Sequence, residues 1–344
     1  MKTIVYNAPW QVSLEDKPEP KYPGYNEVVV KVRSTGICGT DLGIISGQYH
    51  AKPSIVLGHE SAGDVVSVGS NVSNFKPGDR VVIDPTYYCG HCRMCRTGRQ
   101  NHCEHKGHTE TGVSSDGTFS NYYITEERFL YKLAEHISYD EASMTEPLSC
   151  VLTGINQIQV RPEFRTVVLG GGPMGMLYSY ALAARGVSGG IVEISKERAL
   201  IAADKADSRW QVFSSLDEAT EVLASDNGQL DIIVDTTGVM SSLSIQYLSR
   251  GGYLLLVGLR DKEAVFNPRD IVDRSLSIVG SIDSLGTFST AHYMIESGVV
   301  PTKKLITHAY PIEEFEMALN QLGCDVKNQK MYPNAKAMKV IIHP

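Results

Sequence analysis

A glycine turn wedged between an apolar run and a helix-forming run constrains this chain more than any other feature. Residues 166–169 (Thr-Val-Val-Leu) lead into Gly170-Gly171-Gly172-Pro173-Met174-Gly175, and residues 174–185 are rich in Ala, Leu and Met. The turn reads G-x-G-x-x-G, with glycines at 170, 172 and 175. Alone that pattern is weak. Behind a strand and opening a helix it describes a dinucleotide-binding turn. Its glycines allow a tight turn, close approach of backbone to a pyrophosphate, and close helix–strand packing. The helix N-terminus, with Pro173 and Met174 in its first turn, offers N–H groups to phosphates. Pro173 suits that place because its missing N–H loses no partner.

Glu193 lies 18 residues beyond Gly175, at the end of the next apolar run. An acid there binds the ribose 2′-OH of NAD and repels the 2′-phosphate of NADP. Lys196 and Arg198 pull the other way, because nearby cations could tolerate that phosphate. NAD is the expected cofactor, with Gly170, Gly172, Pro173, Met174, Gly175, Glu193 and Arg198 as its contacts. The competing reading is an ordinary glycine-rich turn beside an unrelated acid.

The surroundings of the turn set the fold class. Apolar runs at 190–194, 231–235, 253–257 and 276–280 alternate with helical stretches such as 196–205. That alternation predicts an α/β unit with a parallel sheet covered on both faces. Before Glu146-Pro147 the pattern differs. An opening strand at the N-terminus and short β-type runs at 28–32, 64–68 and 80–83 are bounded by Gly and Pro turns. No convincing long amphipathic helix precedes about residue 139. The tail from about 286 holds one helix (312–322) and a closing strand (338–342), with the polar segment 325–334 expected as a surface loop. At roughly 100–200 residues per domain, 344 residues make about two domains. The expected division is 1–150, 151–285 and a return segment 286–344.

Composition excludes several function classes. Hydrophobic residues at 42% and charged residues at 21% exclude disorder. A net charge of −7 argues against nucleic-acid partners. No apolar run approaches the ~18 residues of a membrane span, and the N-terminus lacks a signal peptide's apolar core. A cytoplasmic, reducing compartment is expected, with no membrane partner.

Seven cysteines are present, four of them in Cys89-x-x-Cys92-x-x-Cys95-x7-Cys103. In a reducing compartment such crowding favours metal over disulfides. Four thiolates could surround one tetrahedral zinc, a closed and therefore structural site. The intervening Gly90, His91, Arg93, Thr97 and Gly98 cannot form a core, so metal would supply the local folding energy. A redox C-x-x-C pair is the rival reading, and the acidic charge disfavours a nucleic-acid zinc ribbon. Outside this lobe stand Cys38, His59 and Glu60. Each has a bland alternative: a buried thiol or a surface group. Their flanks, Gly36-Ile37-Cys38-Gly39-Thr40-Asp41 and Leu57-Gly58-His59-Glu60-Ser61-Ala62-Gly63, are turn-rich strand ends where side chains can converge.

With these segments in order, the chain resembles the zinc-containing medium-chain dehydrogenases, most closely their polyol and sugar-alcohol branch. The motifs that carry the resemblance are Gly58-His59-Glu60 with Gly63, Val68-Gly69-Ser70-Asn71-Val72, Phe75-Lys76-Pro77-Gly78-Asp79-Arg80-Val81, the four-cysteine lobe, Glu146-Pro147-Leu148-Ser149 and the glycine turn. The resemblance implies a GroES-like β-rich catalytic domain holding two zincs, interrupted by a Rossmann NAD-binding domain, with the active site in the cleft between them. It implies Cys38, His59 and Glu60 as ligands of a catalytic zinc with one open position, and Cys89, Cys92, Cys95 and Cys103 around a structural zinc. Glu146 sits where relatives place a further ligand or a residue binding the metal's water. Counting charges, zinc with ionised Cys38 and Glu60 is neutral and Glu146 would make it −1. That favours Glu146 as an intermittent ligand or outer acceptor. Cys150, one helical turn on, is the alternative ligand or a buried thiol.

The implied chemistry is hydride transfer between a secondary alcohol of a polyol, sugar or cyclitol and NAD, in a homo-oligomer (dimer or tetramer). Thr40 matches the family's hydroxyl relay for the departing proton. Many relatives carry a histidine five residues after the cysteine ligand. Gly43 stands there, leaving His50 or water as the onward route. Asp283 stands near the position where polyol relatives often carry Arg, which would favour a hydroxyl-rich or cationic substrate over a carboxylate. The alternatives are a threonine-type amino-alcohol dehydrogenase, a simple alcohol dehydrogenase (disfavoured by Glu146 in place of Cys), or a structural or regulatory protein on the same fold.

Overall fold

The computed structural model describes residues 1–20, 22–224, 226, 228–333 and 335–344. The chain forms two compact units. One comprises residues 1–149, 284–298 and 302–344; the other comprises 150–283 with 299–301.

The first unit is built mainly on antiparallel strands, with Ile306–Pro311 running parallel to Lys339–His343. Its largest sheet runs in the order Ile306–Pro311, Lys339–His343, Glu27–Gly36, Glu60–Val68, Arg80–Ile83, Leu130–Lys132, with Tyr122–Glu126 also paired to Glu27–Gly36. Val28, Val30, Val65, Val81, Ile83 and Leu130 pack one side of it. Ile37, Val340 and Ile342 belong to a second cluster shared with the opening strand Lys2–Ala8. Register matters for function. Gly36 pairs with Glu60 on one neighbour and with Ile341 on the other. The last strand of the chain therefore runs beside the strand that leads to Cys38.

The second unit holds six parallel strands: Trp210–Phe213, Gly189–Val192, Thr166–Leu169, Leu230–Asp235, Leu248–Leu256 and Ser277–Gly280, in that spatial order. In sequence terms this is 3-2-1-4-5-6, the doubly wound order whose ligands bind beyond the carboxyl ends of the strands. Thr166–Leu169 and Gly189–Val192 are buried throughout, as expected of strands covered on both faces. The helix Pro173–Ala183 is buried from Gly175 to Ala183, so its apolar residues all round mark a core helix rather than an amphipathic surface one.

A two-turn helix, Gly39–Ile45, follows Cys38; it is too short to show a helical hydrophobic period. Two local features differ from the sequence expectations. The region 312–322 splits into a 3-10 turn, Ile312–Glu314, and a helix, Phe315–Gln321. The polar segment 325–334 is not simply a loop: Cys324–Asp325 pairs antiparallel with Lys330–Met331. Asn334, the end of that expected loop, lies outside the described residues. Among the described residues no helix is long and apolar enough to cross a membrane.

Candidate active site

Cys38, His59 and Glu60 converge. Their ligand atoms lie within 4.8 Å of one another. The fold brings them there by two routes. Cys38 caps the helix Gly39–Ile45: its sulfur accepts from the Thr40 N–H at 3.5 Å, and the Asp41 carboxylate accepts from the Cys38 N–H at 2.8 Å. This is a capping box with sulfur in place of hydroxyl. His59 and Glu60 sit at the start of the strand Glu60–Val68, directly across the ladder from Gly36.

Two residues given no role by the sequence complete the site. Asp41 is fully buried, and its second oxygen accepts from the Gly58 N–H at 3.2 Å and lies 3.9 Å from His59 Nδ1. One carboxylate thus ties the cysteine turn to the histidine turn. Lys339, on the chain's last strand, is buried in contact with the Glu60 carboxylate and donates to the Ile37 carbonyl at 3.0 Å. The pair meets over Gly36. A Cβ there would overlap the Glu60 carboxylate and come within 2.7 Å of Lys339 Cε, so the crossing requires glycine. Both residues left traces in the sequence: Asp41 three places after Cys38, and a cation heading the apolar run 340–342.

The donor set fits a divalent cation. His59 Nδ1 is buried without a hydrogen-bond partner among the described residues. Burial by itself lowers the His59 pKa, yet the negative charges of Asp41, Cys38 and Glu146 outweigh it and hold the imidazole well above its ordinary value. Burial likewise opposes the Lys339 charge, and Glu60, Cys38 and Glu146 overcome it, leaving Lys339 raised. The anionic neighbours that raise both groups also favour a bound cation, and thiolate, imidazole and carboxylate are all zinc donors.

Glu146 lies in the first turn of the helix Thr145–Ile155, half-buried. It is outside the 4.8 Å donor set, but its charge is felt by both His59 and Lys339. Lys339 and buried Asp41 both enter the charge count: zinc, Cys38, Glu60, Asp41 and Lys339 sum to zero, and adding Glu146 gives −1, so Lys339 offsets Asp41. Thr40 is half-buried in the first turn after Cys38. The Gly43 carbonyl accepts from the Gln48 and Tyr49 N–H groups at 2.8 and 3.0 Å, and His50 beyond them is exposed. Cys150 is half-buried on the same helix as Glu146 and has Tyr178 nearby.

The four-cysteine lobe is a second donor set. Cys89, Cys92, Cys95 and Cys103 are unoxidised, with ligand atoms within 4.8 Å. The Cys89–Cys95 and Cys92–Cys103 sulfurs are 3.9 and 4.0 Å apart. Tetrahedral zinc with ~2.3 Å bonds needs about 3.8 Å between sulfurs, so the four fit that ion with small shifts. Backbone N–H groups of Cys92, Cys95 and Cys89 donate to sulfur at 3.3 to 3.4 Å, and such hydrogen bonds hold the Cys92 thiol below its ordinary value.

In the second unit, Gly170 has φ +101°, and a Cβ there would reach 2.7 Å from Thr236 Oγ1. A Cβ on Gly175 would overlap the Gly170 carbonyl, while Gly172, the N-cap, faces open space. The turn is therefore forced tight at both ends and left clear where a phosphate needs to approach backbone. Pro173 opens the helix and Met174 follows it. Glu193 is buried just past the strand Gly189–Val192. One oxygen accepts from Gly171 N–H and the other from Ser195 N–H, both at 2.9 Å. Arg198 Nη1 lies 3.9 Å from Glu193. A carboxylate has about four lone-pair positions, so Glu193 can brace the turn and still accept from a ribose. Asp283 follows the strand Ser277–Gly280 in the left-handed conformation, φ +57°.

Comparison with known proteins agrees in kind. Residues 24–135 match the alcohol dehydrogenase GroES-like domain. The chain is 31% identical to D-arabinitol dehydrogenase 1 of Uromyces fabae, covering 94% of each. It is 30% identical to sorbitol dehydrogenase of Bacillus subtilis, covering 100% of this chain and 97% of that one. An alcohol dehydrogenase from E. coli CFT073, solved with NADH, superposes with a TM-score of 0.88 at 26% identity, covering 100% of this chain and 99% of that one.

Proposed function

Because the chain belongs to the zinc-containing medium-chain dehydrogenases, in their polyol branch, we propose that it interconverts a secondary alcohol of a polyol, sugar or cyclitol and the corresponding ketone, with NAD as hydride carrier. The observation that carries this reading is the convergence of Cys38, His59 and Glu60 among anionic neighbours that favour a bound cation.

Cys38, His59 and Glu60 hold one zinc, and Cys89, Cys92, Cys95 and Cys103 hold the other. When bound, the first metal supplies the Lewis acidity that makes a substrate hydroxyl a stronger acid, and the dinucleotide supplies the redox chemistry. The protein's own groups do the rest. Asp41 fixes the Cys38 turn and the His59 turn in one arrangement. Lys339 balances Glu60, and Glu146 serves as an outer acceptor or intermittent ligand. Thr40 Oγ1 receives the substrate proton and passes it to water, since Gly43 provides no side chain for a further relay. Gly170, Gly172, Pro173, Met174 and Gly175 hold the pyrophosphate. Glu193 orients the ribose and Arg198 flanks it. Asp283 favours a hydroxyl-rich or cationic substrate over a carboxylate.

We place the protein in the cytoplasm, because four thiols this close survive unoxidised in a reducing compartment, and as a homo-oligomer by resemblance. Residues 1–150 and 286–344 form the catalytic domain, and 151–285 the cofactor domain.

The test is NADH formation by zinc-replete protein against polyols, sugars, cyclitols, amino alcohols and simple alcohols, with NADP in parallel. Turnover of a polyhydroxylated compound with NAD is expected. Turnover confined to amino alcohols or simple alcohols overturns the substrate class, and turnover with NADP alone overturns the role of Glu193.

A further inference from the structure

The cysteine lobe carries donors that its four-thiolate core does not use. The Cys89 sulfur and ring nitrogens of His91 and His105 also lie within 4.8 Å of one another. They face outward: both histidines are exposed and Cys89 is the least buried of the four cysteines. His91 Nδ1 is 3.0 Å from the Cys89 carbonyl. A carbonyl only accepts, so Nδ1 carries the hydrogen and Nε2 keeps its lone pair. That is the usual state of a metal-binding imidazole, whose other nitrogen donates to a carbonyl and so fixes both tautomer and ring orientation. The two rings stand side by side, centroids 5.6 Å apart and tilted 46°, so both can turn a nitrogen to one point.

Electrostatics favours occupancy. Four thiolates around one divalent ion leave the core at −2, and its most accessible sulfur retains lone pairs. A thiolate with two neutral imidazoles is a donor set for a borderline-soft d10 cation.

We propose that Cys89, His91 and His105 form a third, outward-facing zinc-class position that shares the Cys89 sulfur with the core and captures metal on its way in or out. The proposal rests on the four-thiolate reading of the core. Entry is ligand substitution without redox change. The bond to Cys89 is kept, and the two imidazoles and one bound water leave as Cys92, Cys95 and Cys103 bind. Any of these still protonated gives its proton to water.

The experiment is equilibrium dialysis of untagged full-length protein against buffered zinc, with bound metal counted, and the same on H91Q/H105Q. Both substitutions lie on exposed side chains outside the catalytic machinery. Wild type is expected to take up a third, weaker equivalent beyond two. The double variant should keep two and lose at least about tenfold in affinity for the third, the usual scale for a disturbed ligand shell. Cadmium exchange into the core, followed by thiolate charge-transfer absorption, should slow in the variant. Wild type that stops at two equivalents, or a third equivalent that survives in the variant, overturns the proposal. Wild type with fewer than two overturns the four-thiolate reading beneath it, a distinct result.

Discussion

Lys339→Met tests how the charge of the catalytic pocket is set. Lys339 and Glu60 are 3% and 1% exposed, so water cannot stand in for either partner. Removing one member of a buried pair costs about 3–5 kcal/mol, because the other is left charged and unpaired. Methionine keeps the length and apolar stem of lysine, so cavity formation adds little. In metal-free protein Glu60 then bears the full penalty. In zinc-loaded protein the cation beside Glu60 replaces the lost ammonium and most of the penalty disappears. Linkage turns that difference into affinity: if about 3 kcal/mol is recovered, K339M binds the catalytic zinc roughly 100-fold more tightly than wild type. The loss of Lys339 also makes the pocket more negative by one charge, so the bound alcohol becomes less acidic and the rise of kcat with pH shifts upward. The assay is zinc competition against a chromophoric chelator, read on the equivalent that Glu60→Gln abolishes, with urea unfolding of the metal-free forms beside it. Zinc held more weakly in K339M, or metal-free stability unchanged, would refute the reasoning.

Other outcomes follow from the same geometry. Thr40→Ala should lower kcat by about 10²- to 10⁴-fold, the range for a lost proton-transfer group, with zinc content unchanged; pre-steady-state NADH formation checks it. Glu193→Ala removes acceptors for the Gly171 and Ser195 N–H groups as well as for ribose, so KM for NAD should rise about 10- to 100-fold on a scale of roughly 1.5–3 kcal/mol per charged hydrogen bond, while NADP suffers less; parallel titrations of the two cofactors decide. His343 Nε2 lies 2.8 Å from Asp140, and that hydrogen bond raises the His343 pKa above 6.5. A raised folded-state pKa adds stability that is complete below 6.5 and lost as pH climbs through the raised value. His343→Gln should therefore flatten the stability profile above pH 6.5; denaturation midpoints across that range would show no change of slope if the pair contributes nothing.

What could be read from the sequence is what depends on neighbours along the chain. The glycine turn works through backbone conformation within six residues, and its strand and helix announce themselves by pattern. The cysteine lobe closes within fifteen residues, a span too short for its polar filling to fold without the metal. Glu193 follows from a strand length. The parallel sheet follows from apolar runs separated by helices, which only a crossover topology can bury.

Tertiary structure decided the composition of the catalytic pocket. Cys38 and His59 could be named, but Asp41, which holds their two turns together, sits in a helix too short to leave a periodic signal. Lys339 lies 279 residues beyond Glu60 and arrives through the pairing of Ile341 with Gly36 and of Gly36 with Glu60. A strand's side chains alternate faces, so a slip of one residue would carry Lys339 to the opposite face. Which register wins depends on how the whole sheet buries Ile37, Val340 and Ile342. That is a property of the packed unit, and so the charge of the pocket is too.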